Sequence, residues 1–293
     1  MTVGVGLILN EFSTAGLLDD TLVVFSSDNG IPFPNGRTNL YDSGIKEPFM
    51  ISHPSDTSQW GKVRLDCCLN LNVSSAASNV TSCCNDVYFQ RSRELVSLVD
   101  IAPTVLDWFG VQYPSYSLFN RQVKLTGRSL LPTLREKCPE QQSPSTSIFT
   151  SQSLHEITMS YPMRSIRTDH YKLIQNLAFR NPFPIDQDFY LSPTFQDMLN
   201  RTARQTKIPW FKTLDMYYNR APFELYDITT DPHETNNLFE DEAYRFIFAD
   251  LQTMLKTWQN VTHDPWICYP GGVLEDSGRY KAHPQCMPLY NGY

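Results

Sequence analysis

A chain of 293 residues that is 41% apolar and 13% aromatic can fill one large domain, or a larger and a smaller one, which excludes global disorder. A formal charge of −7 and an isoelectric point near 5.4 argue against a nucleic-acid binder, which needs a basic surface, yet leave room for an anionic small substrate in a locally positive pocket. No apolar run reaches the roughly 18 residues of a membrane span, and VGVGLIL lacks a signal segment's basic flank and runs straight into Asn10-Glu11.

Residues 3–15 predict a helix: Val5, Ile8, Phe12 and Ala15 form a stripe at 3–4 spacing, and Gly16 is placed to end it in a left-handed conformation. Asp19-Asp20 make a turn, and Thr21–Ser27 predict a short strand buried on both faces. Helix, brief loop and buried strand read as half of a parallel-sheet unit. FMISHP, after Pro48, is a second strand candidate. Residues 64–93 are rich in Ser, Asn and Cys without a stable period, and read as an inserted loop. In LVSLVDIAPTVLDWFG, Asp100 is placed to cap a helix that ends before Gly110. QQSPSTS at 141–147 is the best boundary candidate. Beyond it, MRSIRTDHYKLIQNL predicts two strands joined at Thr168-Asp169-His170, and FELYDI a third. Tyr244, Ile247, Phe248, Leu251, Leu255 and Trp258 mark an amphipathic helix to cover them.

Of seven cysteines, Cys67, Cys68, Cys83 and Cys84 form two vicinal pairs, a poor geometry for zinc because neighbouring thiolates point apart. Cys138 stands alone. Cys268 and Cys286 flank a Pro/Gly-rich tail and read as a bridge closing it, the usage of secreted or lumenal proteins. Asn72, Asn79, Asn200 and Asn260 open Asn-x-Ser/Thr triplets, which agree with export.

The stretch VVFSSDNGIPFPNGR delivers Asp28, Asn29 and Gly30 at a strand exit, with Arg37 close behind. A charged and a neutral oxygen donor suit a hard divalent cation, and Arg37 suits an oxyanion or a carboxylate. The same residues also fit an ordinary Asx-turn followed by a solvated arginine, and both readings stand at this point. His155 and Glu156 either contact substrate hydroxyls or close a hydrogen-bonded loop. Tyr161, Tyr217 and Tyr218 either stack on sugars or pack in a core. His53 reads as solvent-exposed, His233 as part of a turn, and Lys46 either attracts anions or pairs with Glu47.

GLLDDTLVVFSSDNGIPFPNGRTNLY resembles the late catalytic-domain segment of the sulfatase family, within the alkaline-phosphatase-like superfamily. LVDIAPTVLDWFG, SQSLHEITMSYPMRS, NPFPIDQDFYLSPTFQDMLNRT, ELYDITTDPHETNNL and THDPWIC continue the resemblance, toward members that remove N-linked sulfate from glucosamine of heparan sulfate. The resemblance implies an α/β fold of the alkaline-phosphatase-like type, truncated at its N-terminus. Residues 1–140 would form part of the catalytic domain, with an atypical insertion at about 64–93, and 141–293 a small antiparallel α+β subdomain with a disulfide-closed tail. It implies Ca²⁺ held in part by Asp28 and Asn29, Arg37 as an active-site arginine, and His155 and Glu156 at the sugar. Its further implications are a lysosomal location, a homodimer and a formylglycine nucleophile made from cysteine. The signature of that nucleophile, Cys-x-Pro-x-Arg, does not occur in this chain, so no turnover is expected of it alone. Two other readings are another sulfatase or phosphodiesterase of the superfamily, and a non-catalytic binding or structural protein on the same scaffold.

Overall fold

The computed structural model describes residues 2–52, 95–113, 116–118, 121–123, 125–135, 147–155 and 159–288. The expected insertion at 64–93, Cys67, Cys68, Cys83, Cys84, Cys138, Asn72, Asn79, His53, Glu156 and the side chain of His155 lie outside the described residues.

In chain order the helices and strands are α1 (Thr2–Thr14), β1 (Val23–Phe25), α2 (Asp42–Ile45), β2 (Met50–Ser52), α3 (Ile101–Trp108), β3 (Ser117–Leu118), β4 (Arg121–Gln122) and α4 (Leu131–Arg135). There follow β5 (Ile148–His155), β6 (Met159–Arg167), β7 (Tyr171–Asn176), α5 (Gln187–Tyr190), α6 (Pro193–Ala203) and α7 (Leu214–Tyr218). The chain ends with β8 (Phe223–Asp227), α8 (Arg245–Val261), β9 (Gly272–Glu275) and β10 (Gln285–Pro288). The chain divides into two compact units. One comprises Met1–Ser26, Pro48–Pro114 and Gly127–Pro144; the other comprises Ser27–Glu47, Ser115–Thr126 and Ser145–Tyr293. Residues 27–47, read from sequence with the first domain, are therefore built into the second unit.

In the first unit α1 forms where its periodicity predicts, and Gly16 adopts the left-handed conformation, at φ 69°. Its apolar stripe is nevertheless open: Ile8 is 59% and Phe12 38% exposed. β1 departs from expectation twice. It is half-buried, and it pairs antiparallel with β2, Val24 lying opposite Ile51. A parallel neighbour requires a crossover that returns the chain in the same direction; here the next strand comes back reversed beside β1. α3 ends at Phe109 and Gly110, the latter at φ 62°. Asp100 does not cap it in the expected way. Its carboxylate reaches back to the Ser97 amide at 2.9 Å, completing a capping box with Ser97, and also takes the Arg128 amide at 2.9 Å.

The second unit is built on a four-stranded antiparallel sheet in the order β5-β6-β7-β8. Thr168 Oγ1 accepts the Tyr171 amide at 3.0 Å and closes the β6–β7 hairpin at the predicted residues. β7 is buried on both faces because each face is covered. On one, Ile166, Leu173 and Leu225 pack against Leu251 and Leu255 of α8. On the other, Met163, Ile174 and Tyr226 pack against Tyr41, Phe183 and Tyr217. Phe189, Phe195, Met198 and Leu214 form a further cluster among α5, α6 and α7. Ser192 caps α6 by accepting the Phe195 amide, with Pro193 in the first turn where no amide is needed.

Ion pairs tie these layers together. Arg164 grips Asp264 through Nε and Nη2, at 2.7 and 2.9 Å, joining β6 to the segment after α8. Lys172, wholly buried in β7, pairs with Asp42 and with Glu234, the latter at 2.7 Å. Cys268 and Cys286 form a disulfide between the 3-10 turn Pro265–Cys268, which follows α8, and β10 of the β9–β10 hairpin.

Candidate active site

The 27–47 segment is a tight loop stitched by its own backbone. Ile31 carbonyl accepts from the amides of Phe33 at 2.8 Å and Arg37 at 3.0 Å, and the Gly30 amide donates to Gly44 carbonyl at 3.1 Å. Gly30 is required by close approach: a Cβ there would run into the Ser43 carbonyl. Asn35 at φ 66° and Thr38 at φ 73° both occupy the left-handed region, a costly one for a β-branched residue. Backbone strain of this kind concentrates at functional loops.

Asp28 is exposed and Asn29 half-buried, its Nδ2 donating to Gly30 carbonyl at 2.8 Å. Glu47 joins them. Burial pushes its carboxyl up, a hydrogen bond with Ser27 opposes this, and the charge of Asp28 pushes it further up. Its Oε1 is buried with no hydrogen-bond partner among the described residues. Asp28, Asn29 and Glu47 thus offer oxygen donors of the kind a hard cation takes, and the orphaned Glu47 oxygen is a group such an ion would satisfy. Among the described residues no group of three His, Cys, Asp or Glu side chains is arranged to hold a metal by itself.

Arg37 donates through Nη2 to Asp186 Oδ2 in a half-buried ion pair. Burial works to raise the Asp186 carboxyl. The Arg37 hydrogen bond and the Phe189 amide outweigh it and hold the carboxyl below its usual range. The other Asp186 oxygen caps α5 by accepting the Asp188 amide at 2.9 Å. A cavity of about 10 Å³ borders the pair, between Phe33, Thr38, Phe189 and Tyr217, which is room for about one water.

The remaining sequence candidates sort as follows. Tyr161 and Tyr217 are each 3% exposed and belong to the core, so they present no sugar platform. Lys46 is exposed and faces Asp42 at 3.9 Å, one helical turn away, rather than Glu47. His233 is exposed and stacks on Phe211. Asn200 and Asn260 are exposed on α6 and α8. Sequence reading missed Glu47 and Asp186. Glu47 lay in plain sight beside Lys46, but Asp186 is 149 residues from Arg37 and carries no local signal.

Comparison with known proteins bears on the chain as a whole. A family model described as sulfatase matches residues 4–111, which include Asp28, Asn29, Arg37 and Glu47. The chain is 49% identical to human N-sulphoglucosamine sulphohydrolase over 99% of its own length and 51% of that protein. It is 24% identical to the ulvan-active sulfatase of Formosa agariphila, over 89% of this chain and 36% of that one. The solved structure of BT4656 in complex with its substrate D-glucosamine-2-N,6-O-disulfate superposes with a TM-score of 0.53 at 21% identity. That match covers 88% of this chain and 38% of the other, and speaks for the fold. The chain spans about half the length, or less, of the curated relatives it matches. By the family match across residues 4–111 and the near-complete alignment with the human enzyme, the chain belongs to the sulfatase family.

Proposed function

We propose that this chain is the calcium-side portion of a sulfatase that cleaves N-linked sulfate from glucosamine at the non-reducing end of heparan sulfate. The observation that carries the reading is 49% identity over 99% of the chain to a protein named for that reaction. Asp28, Asn29 and Glu47 would hold the ion, and Arg37 would bind a sulfuryl oxygen. A bound Ca²⁺ supplies charge stabilisation on the transferring group. The overall reaction balances as R–NH–SO₃⁻ + H₂O → R–NH₃⁺ + SO₄²⁻, with the N–S bond broken and the nitrogen protonated. Arg37 serves it by charge held in place: its pairing with Asp186 fixes the guanidinium before substrate arrives, so little reorganisation is needed. With no Cys-x-Pro-x-Arg signature in its sequence, this chain alone supplies binding and orientation rather than the covalent step. A lysosomal setting fits the exposed Asn200 and Asn260 triplets and the Cys268–Cys286 disulfide. No helix among the described residues is long and apolar enough to cross a membrane.

The test is equilibrium binding of N-sulfoglucosamine to the chain in the presence of Ca²⁺. Arg37→Ala is expected to weaken it about tenfold or more, the loss of one charge-assisted contact, while far-ultraviolet dichroism is unchanged. Equal affinity in the variant would remove Arg37 from the role.

A further inference from the structure

The leg of the loop that runs on from Arg37 is pinned inside the second unit by two buried cations, Lys212 and Arg220, which flank α7. Arg220 Nη2 donates to Asn39 Oδ1 at 2.5 Å, and Asn39 Nδ2 in turn donates to the Arg37 carbonyl at 3.2 Å. Lys212, 4% exposed, places its Nζ 3.6 Å from the centroid of the Tyr41 ring and 5.5 Å from that of Tyr226. The Arg220 guanidinium stands 5.3 Å from the same Tyr41 centroid. The hydroxyls of Tyr41 and Tyr226 both donate to Glu224 Oε2, at 2.7 and 2.5 Å. Among the described residues the Lys212 ammonium thus meets ring faces rather than a paired carboxylate. Asp42, the next residue, is held separately by Lys172 and Arg167, so the leg stays folded without Lys212.

We propose that Lys212 is a positioning residue for Arg37: its ammonium, held on the face of Tyr41, fixes residues 39–42 and through them the direction of the guanidinium. The reaction this serves rests on the proposed function; the hold on the loop rests on the Lys212–Tyr41 contact. A cation kept from water against an aromatic face is drawn to the ring by its quadrupole, and an apolar side chain of the same length is not. The contact also carries a pH response. Burial lowers the ammonium to about 8 from 10.5; Glu224 and Glu234 oppose this, Arg220 reinforces it, and Asp231 opposes it. Titration acts in two directions. Relative to the unfolded chain, whose amine titrates near 10.5, stability rises as pH passes from 8 to 10.5, because the neutral amine costs less to bury. Relative to a shifted leg that leaves Lys212 buried but off the ring, the neutral amine has less attraction to lose, so Tyr41 is held less firmly above about pH 8.

The experiment follows the ¹³Cα signals of Gly36 and Gly44, both in the loop, by NMR of the full 293-residue chain from about pH 6.5 to about pH 9.5, and in parallel the affinity for N-sulfoglucosamine with Ca²⁺ present. In the native chain the glycine signals are expected to titrate with a midpoint near pH 8, and the affinity to fall about fivefold across the range. Lys212→Met, of similar length, is expected to be about fivefold weaker throughout and to show no titration. Lys212→Arg, which stays charged, is expected to bind within about twofold of the native chain at pH 6.5 and to remain flat. Unchanged affinity and unchanged glycine signals in Lys212→Met would overturn the positioning role, as would a Lys212→Arg chain that titrates as the native one does. If the glycine signals titrate through Lys212 but no N-sulfoglucosamine binds, the hold on the loop stands and the sulfatase reading falls. If the sugar binds through Arg37 and Lys212→Met leaves it intact, the sulfatase reading stands and the positioning role falls.

Discussion

Lys172 lies between two carboxylates with none of its side chain open to solvent, and its loss would strip Glu234 of its cation and leave Asp42 to Arg167. Breaking a buried pair by removing one partner leaves an uncompensated charge, so Lys172→Met is expected to cost about 3–5 kcal/mol in a urea melt. A loss under about 1 kcal/mol would show the triad to be dispensable. The same group sets an acid limb. Burial tends to raise the Asp42 carboxyl, but the charge of Lys172 and hydrogen bonds from Arg167 and Lys172 overcome it and bring it to about 2 from 3.8. A lowered folded-state value means the stabilisation is complete above about pH 4 and is lost as pH falls toward 2, on the order of 2 kcal/mol. Glu234 works the other way, since burial raises its carboxyl above 4.5, but its proton uptake falls at higher pH than the Asp42 window and leaves the slope below pH 4 to Asp42. Thermal melts from pH 5 to 2 should show falling stability, steepest below pH 4, and a flat profile would contradict the assignment. None of this network was legible in sequence: Asp42, Lys172 and Glu234 each look like surface residues until the fold brings residues 42, 172 and 234 together.

At the scale of elements, legibility follows period and punctuation. α8 declared itself through six residues at helical spacing, and the β6–β7 hairpin through Thr168-Asp169-His170 between alternating segments. The direction of β1 was not legible. A three-residue strand carries no mark of its partner, and only long-range pairing with Met50–Ser52 makes it antiparallel. The capping role of Asp100 was half-legible: the helix start was right, but the bond runs back to Ser97. Gly30 reads as a turn glycine in sequence, and the structure gives the stronger reason, a backbone carbonyl where Cβ would sit. Gly30→Ala is therefore expected to cost about 1–3 kcal/mol in a thermal or chemical melt, because the obstacle is backbone and cannot rotate away. A neutral substitution would show that the loop accommodates a side chain there.

Across the whole molecule, the second unit gathers most of the candidate chemistry: the oxygen donors at Asp28, Asn29 and Glu47, the Arg37–Asp186 pair, and the Lys212–Tyr41 contact. The α/β family assignment was legible because ordered motif blocks survive over nearly the whole chain, and 49% identity across 99% of it agrees. The partners of those motifs were not legible, since Asp186 and Lys212 reach the loop through tertiary folding alone. The account rests on Asp28, Asn29 and Glu47 holding a divalent cation beside a sulfuryl-binding arginine. Isothermal titration of the chain with Ca²⁺ tests this most directly, with Mg²⁺ as comparison. The account predicts saturable binding of one Ca²⁺, weakened about tenfold or more in Asp28→Ala; a native chain that takes up no Ca²⁺, or a variant that binds it equally well, would contradict it.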